Sequence, residues 1–350
     1  MDEKIPQVFL DANILIAVGK PPGGPEIARV AELVDAKMIS VLTTDLTVME
    51  VAKKHADNDL KEVKEFARAH VHSILQKITE TILPVLTKEE MRERLLAGYR
   101  SETDKMFKRL GAKVLSIDDV APSSIFNDYT RATGFFSGEG KKDQFPDAFI
   151  FERIKAEAAV ERPLIVVTAD GDYAAPVERE ENIDLVASLP ELFTKLGLEY
   201  EAPQVDAFLD QNIEALIEGV NEELGNWGLI GDVEDSEIDK ATVTNLTILD
   251  RSAFKSVETD GPIVVVAKLE VDADIYYSHP DWDNASYDSE DKVLLPWDTV
   301  EGDTTVSLTV DVSISIEVDE SDGSPRRFDE IRFRNDRFQY VVLHPYDHYN

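Results

Sequence analysis

Over residues 1–200 the chain alternates between two hydrophobic periodicities. Four short apolar runs have strand length: Gln7–Leu10, Ile39–Thr43, Leu164–Thr168 and Ile183–Val186. Between them, apolar residues recur at three- and four-residue spacing. Pro25–Ala36 carries Ile27, Val30, Ala31 and Val34 on one helical face. After the second run, Thr44 or Asp45 offers an N-cap to a segment holding Val48, Val51 and Ala52. Asp59–Thr79 reads as one long helix through Leu60, Val63, Phe66, Ala67 and Ile74. Lys88–Leu110 reads as a second, charge-rich helix. Pro146–Ala159 is a helix opened by a proline, and Leu189–Leu196 closes the unit. This rhythm of strand and helix predicts a three-layer α/β domain with a mostly parallel sheet.

Beyond residue 200 the pattern changes twice. Val205, Phe208, Leu209, Ile213, Leu216 and Ile217 keep helical spacing, so residues 201–232 read as a helical connector that Gly225 to Gly231 brings to an end. The period then becomes two over Ala241–Leu249, Ile263–Ala273, Thr304–Val318 and Arg326–Leu343. Residues 233–350 are therefore expected to form a separate, mainly antiparallel β domain. The polar stretch Ser278–Asp291 interrupts its strands. The wider segment Tyr276–Trp297 mixes aromatics with acids; it reads as a plain loop or a protein-binding surface, and its acid spacing does not match an EF-hand loop.

Composition adds two constraints. Hydrophobic residues make up 43 % of the 350, enough for packed cores, and there is no cysteine, which removes disulfides and thiolate metal sites. No apolar run approaches the roughly 20 residues that span a membrane, and the first residues show no signal pattern. A cytoplasmic protein with no membrane partner is the expectation.

The net charge of −34 argues at first against a nucleic-acid partner. Its distribution changes that reading. Residues 1–200 hold 26 Lys+Arg against 35 Asp+Glu, a balance of −9, whereas residues 201–350 hold 10 against 35, a balance of −25. Residues 51–113 hold 14 basic and 10 acidic residues, or +4. The acidic β domain is expected to repel nucleic acid and to meet a protein or another copy of itself. The first 200 residues remain open to a nucleic-acid site.

Four segments carry candidate chemistry: Val8-Phe9-Leu10-Asp11-Ala12-Asn13-Ile14-Leu15, Thr44-Asp45-Leu46-Thr47-Val48-Met49-Glu50-Val51, Lys141-Lys142-Asp143-Gln144-Phe145-Pro146-Asp147-Ala148-Phe149, and Val166-Val167-Thr168-Ala169-Asp170-Gly171-Asp172-Tyr173. Asp11 and Asp170 follow apolar strands, at the sheet edge where α/β sites form. A carboxylate beside buried strand atoms costs several kcal/mol unless compensated. Two such acids at one edge repel each other, and a hard divalent cation removes that repulsion. Taken singly, each acid has a plainer explanation. Asp11 and Asp170 could be turn residues, Glu50 a solvated helix residue, and Asp147 a first-turn acid favoured by the helix dipole.

Taken together and in this order, the four segments resemble the PIN nuclease family, over roughly residues 5–198. The resemblance implies a PIN-like α/β three-layer domain over residues 1–200, with a helical insert at about 81–140 that is larger than a minimal PIN domain carries. It implies a metal-dependent endoribonuclease that hydrolyses RNA, single-stranded RNA above duplex, in the role of a toxin or defence effector. Asp11, Glu50, Asp147 and Asp170 would be the acid quartet that holds Mg²⁺ or Mn²⁺, with Asp172 reaching a second ion through water. Asn13 and Thr168 would orient these groups, and Lys141 and Lys142 would meet substrate phosphates. One departure is Ala12, where many members carry a hydroxyl residue. The alternative is an inactive PIN-fold scaffold that binds RNA or protein. A phosphatase of the haloacid dehalogenase type is disfavoured, because its Asp-x-Asp reads here as Asp11-Ala12-Asn13.

Overall fold

A computed structural model describes residues 5–137, 144–199, 203–258, 261–288, 293–334 and 339–343. The chain divides into two compact units, Met1–Gly197 and Leu198–Asn350.

The first unit is built on five parallel strands in the order β3-β2-β1-β4-β5. These are β1 (Gln7–Leu10), β2 (Ser40–Thr44), β3 (Lys113–Leu115), β4 (Leu164–Val167) and β5 (Ile183–Val186). The central strands β1 and β4 are buried at every residue, as expected when helices cover both sheet faces. The helices are α1 (Ala12–Ala17), α2 (Pro25–Asp35), α3 (Asp45–Val63), α4 (Ala69–Thr79), α5 (Lys88–Arg109), α6 (Pro122–Arg131), α7 (Phe145–Lys155), α8 (Ala174–Val177) and α9 (Leu189–Lys195). The expected parallel α/β architecture is observed.

Two details differ from the sequence reading. The helix expected over Asp59–Thr79 is two helices. Capped by Thr44, α3 starts directly after β2 and keeps a buried stripe from Thr47 to Leu60. The stripe then runs out. A 3₁₀ turn spans Lys64–Ala67, Arg68 is extended (φ −76, ψ 126), and α4 begins afresh with no buried residue. The apolar positions of α4 are at most partly covered: Val71 and Leu75 are half-buried, and Ile74 and Ile78 are exposed. The second difference is β3, a three-residue edge strand inside the stretch read as a helical insert. It pairs with β2 through Leu42↔Lys113 and Thr44↔Leu115, so that stretch contributes to the sheet itself.

The second unit is an antiparallel sheet in the order β12-β11-β8-β7, formed by β7 (Glu237–Phe254), β8 (Ile263–Pro280), β11 (Thr299–Val318) and β12 (Pro325–Arg334). The antiparallel expectation holds, with longer strands than the alternation marked. The segment read as a connector consists of α10 (Pro203–Gln211) and α11 (Ile213–Trp227). Val205, Leu209, Leu216, Val220 and Leu224 from these helices share one core with Val265, Leu269, Val271, Val312 and Ile314 from the strands. Gly219 lies so close to Ile331 of β12 that a Cβ there would collide with the isoleucine side chain. These helices form a layer of the second unit.

The run expected over Arg326–Leu343 is also divided. It forms β12 and, after residue 338, β13 (Gln339–Val341), which pairs in parallel with β6 (Leu229–Gly231). Within the polar stretch Ser278–Asp291, β8 continues to Pro280. Ser286–Asp288 (β9) then pairs with Val293–Leu295 (β10). Among the described residues no helix is long and apolar enough to cross a membrane.

Candidate active site

Sheet register sets the first contact of the site. Leu10 of β1 lies opposite Val167 of β4, so Asp11 and Thr168 leave the same sheet edge side by side. The Asp11 amide donates to the Val167 carbonyl at 3.0 Å. Thr168 Oγ1 donates to Asp11 Oδ2 at 2.6 Å, and the Ala12 amide donates to Asp11 Oδ1 at 2.7 Å. Thr168 Oγ1 also accepts from Asn13 Nδ2 and from the Asp170 amide, each at 3.0 Å. A hydroxyl has one proton and two lone pairs, so this one is fully used. The Ala169 amide donates to Asn13 Oδ1 at 3.3 Å, which fixes the orientation of the Asn13 amide. The Asp172 amide donates to Asp170 Oδ1 at 2.8 Å, so Asp170 also caps the 3₁₀ turn Gly171–Tyr173.

Asp11 is 4 % exposed. Burial raises its pKa above the ordinary carboxylate value; the bonds from Thr168 and Ala12 oppose this, and the charge of Asp170 adds to it. The two remaining acids arrive from helices that start at the same edge. Thr44, the last residue of β2, caps α3 by accepting from the Thr47 amide at 3.0 Å, and this places Glu50 in the second turn. Asp45 is engaged elsewhere. It accepts from Ser116 Oγ at 2.8 Å and from the Ile117 amide at 3.1 Å, tying α3 to the chain after β3. Asp147 lies in the first turn of α7.

Glu50 is pushed up to about 7, first by burial and then by the charge of Asp11, against the pull of Lys53. Asp147 is also pushed up to about 7, by burial and then by Asp11, Glu50, Asp170 and Asp172. A first-turn acid whose only partner is the helix dipole has its charged form stabilised and its pKa lowered. Burial and four neighbouring carboxylates act on Asp147 in the opposite direction, so it stands among acids as well as in a first turn.

The structure thus brings Asp11, Glu50, Asp147 and Asp170 within reach of one another's fields, with Asp172 at the margin. It does not close them. Among the described residues no three acids or histidines stand close enough to hold a metal ion as their side chains are placed. The donors suit a hard divalent cation: they are carboxylate oxygens that repel one another, and burial with that repulsion pushes Glu50 and Asp147 up to about 7. The fit lies in donor type and convergence; the ligand sphere is not formed. Lys141 and Lys142 lie outside the described residues.

Sequence reasoning passed over Tyr173. Its side chain is completely buried, and its hydroxyl has no hydrogen-bond partner among the described residues. An unmet buried hydroxyl costs about 1–3 kcal/mol. The only signal in the sequence was an aromatic directly after Asp170-Gly171-Asp172.

Residues 8–173 match the family model of the PIN domain, a span that contains all five acids of the pocket. The N-terminal unit is a PIN domain. PIN domains are generally nucleases that use divalent metal ions, so the fold around the pocket is of nuclease type. The PIN match ends before the second unit, which has no family match. No curated protein and no solved structure matches the chain.

Proposed function

We propose that the PIN domain is a metal-dependent endoribonuclease that hydrolyses RNA phosphodiester bonds, single-stranded RNA above duplex, with Asp11, Glu50, Asp147 and Asp170 as ligands for Mg²⁺ or Mn²⁺ and Asp172 beside them. The observation that carries the proposal is the mutual coupling of acids from four chain segments at one sheet edge. A protein gains nothing in stability from gathering like charges, so the arrangement is explained by a cation or by the charge of a reaction. When bound, the cation supplies a water of lowered pKa and stabilises charge on the phosphate.

The chain's own residues do the rest. Thr168 and the Ala12 amide hold both oxygens of Asp11 in one orientation. Asn13 holds Thr168, and through Ala169 it holds the start of the segment that carries Asp170. Glu50 and Asp147, pushed up to about 7, would hold the cation in their deprotonated form. The mildly basic stretch 51–113 and Lys141 and Lys142 offer charge to phosphates. A growth-arresting or defensive role in the cytoplasm fits such an activity. The acidic second unit would meet a protein or another copy of itself rather than RNA.

One observation favours a second reading. The acids form no ready ligand group among the described residues, as in a PIN-fold scaffold that binds RNA or protein without cutting it. The two readings separate in a single assay. The full chain is incubated with labelled single-stranded RNA, duplex RNA and DNA, with EDTA, Mg²⁺ or Mn²⁺. The nuclease reading expects cleavage of single-stranded RNA that needs the ion and is lost in Asp11→Asn with the fold intact. Binding without turnover under either ion would establish the scaffold instead.

A further inference from the structure

Tyr173 stands directly after Asp172, at the end of the 3₁₀ turn that Asp170 caps. Its ring meets Phe135 edge-on at 4.9 Å and Phe151 at 6.1 Å, centroid to centroid. These contacts, with complete burial, account for an aromatic ring at this position. They do not account for the hydroxyl, since phenylalanine would pack in the same way. A buried tyrosine hydroxyl ordinarily has a partner, and this one has none among the described residues. The charges of Asp11, Asp147, Glu50 and Asp170 all act on this hydroxyl, which places it on the side of the acid cluster. It is a buried hydroxyl beside the acid cluster, with no acceptor among the described residues.

We propose that Tyr173 is a positioning residue of the acid pocket, its hydroxyl donating to a carboxylate oxygen of the cluster once the acids close on a divalent cation. The inference rests on the metal-dependent reading above. It explains two observations together: a donor without an acceptor, and ligands gathered but not closed. Drawing a carboxylate toward a cation moves an oxygen into the pocket, and a donor already in place selects the orientation in which that oxygen arrives. Partners of this kind raise metal affinity without touching the ion.

The test is a Mn²⁺ titration of the full chain, followed by calorimetry and by the loss of the free-ion electron paramagnetic resonance signal, on four proteins: wild type, Tyr173→Phe, Phe135→Leu and Asp11→Asn. Tyr173→Phe keeps the ring and removes the donor. Its apo melting temperature is expected to be unchanged or higher, and its Mn²⁺ affinity about 10- to 100-fold weaker than wild type. Phe135→Leu disturbs the same aromatic packing and keeps the hydroxyl. It is expected to lower the melting temperature and leave the Mn²⁺ affinity unchanged. If Tyr173→Phe binds Mn²⁺ as wild type does, or if Phe135→Leu weakens binding equally, the positioning role is overturned while the metal reading stands. If wild type binds no more Mn²⁺ than Asp11→Asn, both readings fall.

Discussion

Thr168 donates to Asp11 across 2.6 Å while accepting from Asn13 and from the Asp170 amide. One hydroxyl thereby joins the ends of two neighbouring parallel strands and orients a carboxylate that is almost fully buried. Thr168→Val preserves shape and removes all three bonds. It is expected to destabilise the first unit by about 1–3 kcal/mol and to slow RNA cleavage about 10- to 100-fold. Thr168→Ser should restore most of both. Urea denaturation and single-turnover cleavage measure the two effects. Wild-type cleavage by Thr168→Val would show that Asp11 needs no such support.

The raised values of Glu50 and Asp147 make a prediction about pH. Both folded-state values, about 7, lie above the ordinary values of 4.5 and 3.8. In the window between, the folded chain holds protons that the unfolded chain has lost. Stability of the metal-free protein is therefore greatest below the unfolded values and falls as pH rises through about 7. Asp147→Asn removes one of the repelling charges. It should raise the apo melting temperature of the first unit by a few degrees at pH 8, with the gain shrinking toward pH 5 (a unit of this size moves about 2–4 °C per kcal/mol). Differential scanning calorimetry across that range checks both sign and window. A gain independent of pH would contradict it.

Metal binding shares this proton linkage. Because the cation takes the deprotonated acids, Mn²⁺ affinity should rise as pH goes from 6 to 8, with proton release detectable by calorimetry in buffers of different ionisation enthalpy. Binding without proton uptake or release in that range would mean that the two acids are already ionised in the free protein.

The second unit offers a test away from the site. Leu216 of α11 is completely buried in the core it shares with the strands. Leu216→Ala should cost about 2–5 kcal/mol in the unfolding of that unit. A helix serving only as a connector would show almost no loss.

How much was legible in the sequence depended on length and burial. The strands that end at Asp11 and precede Asp170 were plain because each is a run of apolar residues buried on both faces. Lys113–Leu115 was not, because two of its three residues are exposed at the sheet edge and so carry no apolar signal. Val205, Leu209 and Leu216 showed helical spacing, yet spacing cannot say which surface covers a helix; that came only from the packed core. Within the site, the sequence pointed to each acid by its segment; of the two residues expected to orient them, Thr168 bonds Asp11 and Asn13 bonds Thr168. The Tyr173 hydroxyl was not legible, because an aromatic after a turn is first of all core material. That it has no partner among the described residues is a property of three dimensions.

Crystals of the full chain grown with Mn²⁺ and measured for anomalous scattering show whether the acids of the pocket hold an ion. A peak is expected in the pocket beyond β1 and β4, bound by Asp11 together with others of Glu50, Asp147 and Asp170. No peak at saturating Mn²⁺, or a peak elsewhere with Glu50 and Asp147 turned to bulk water, would contradict it.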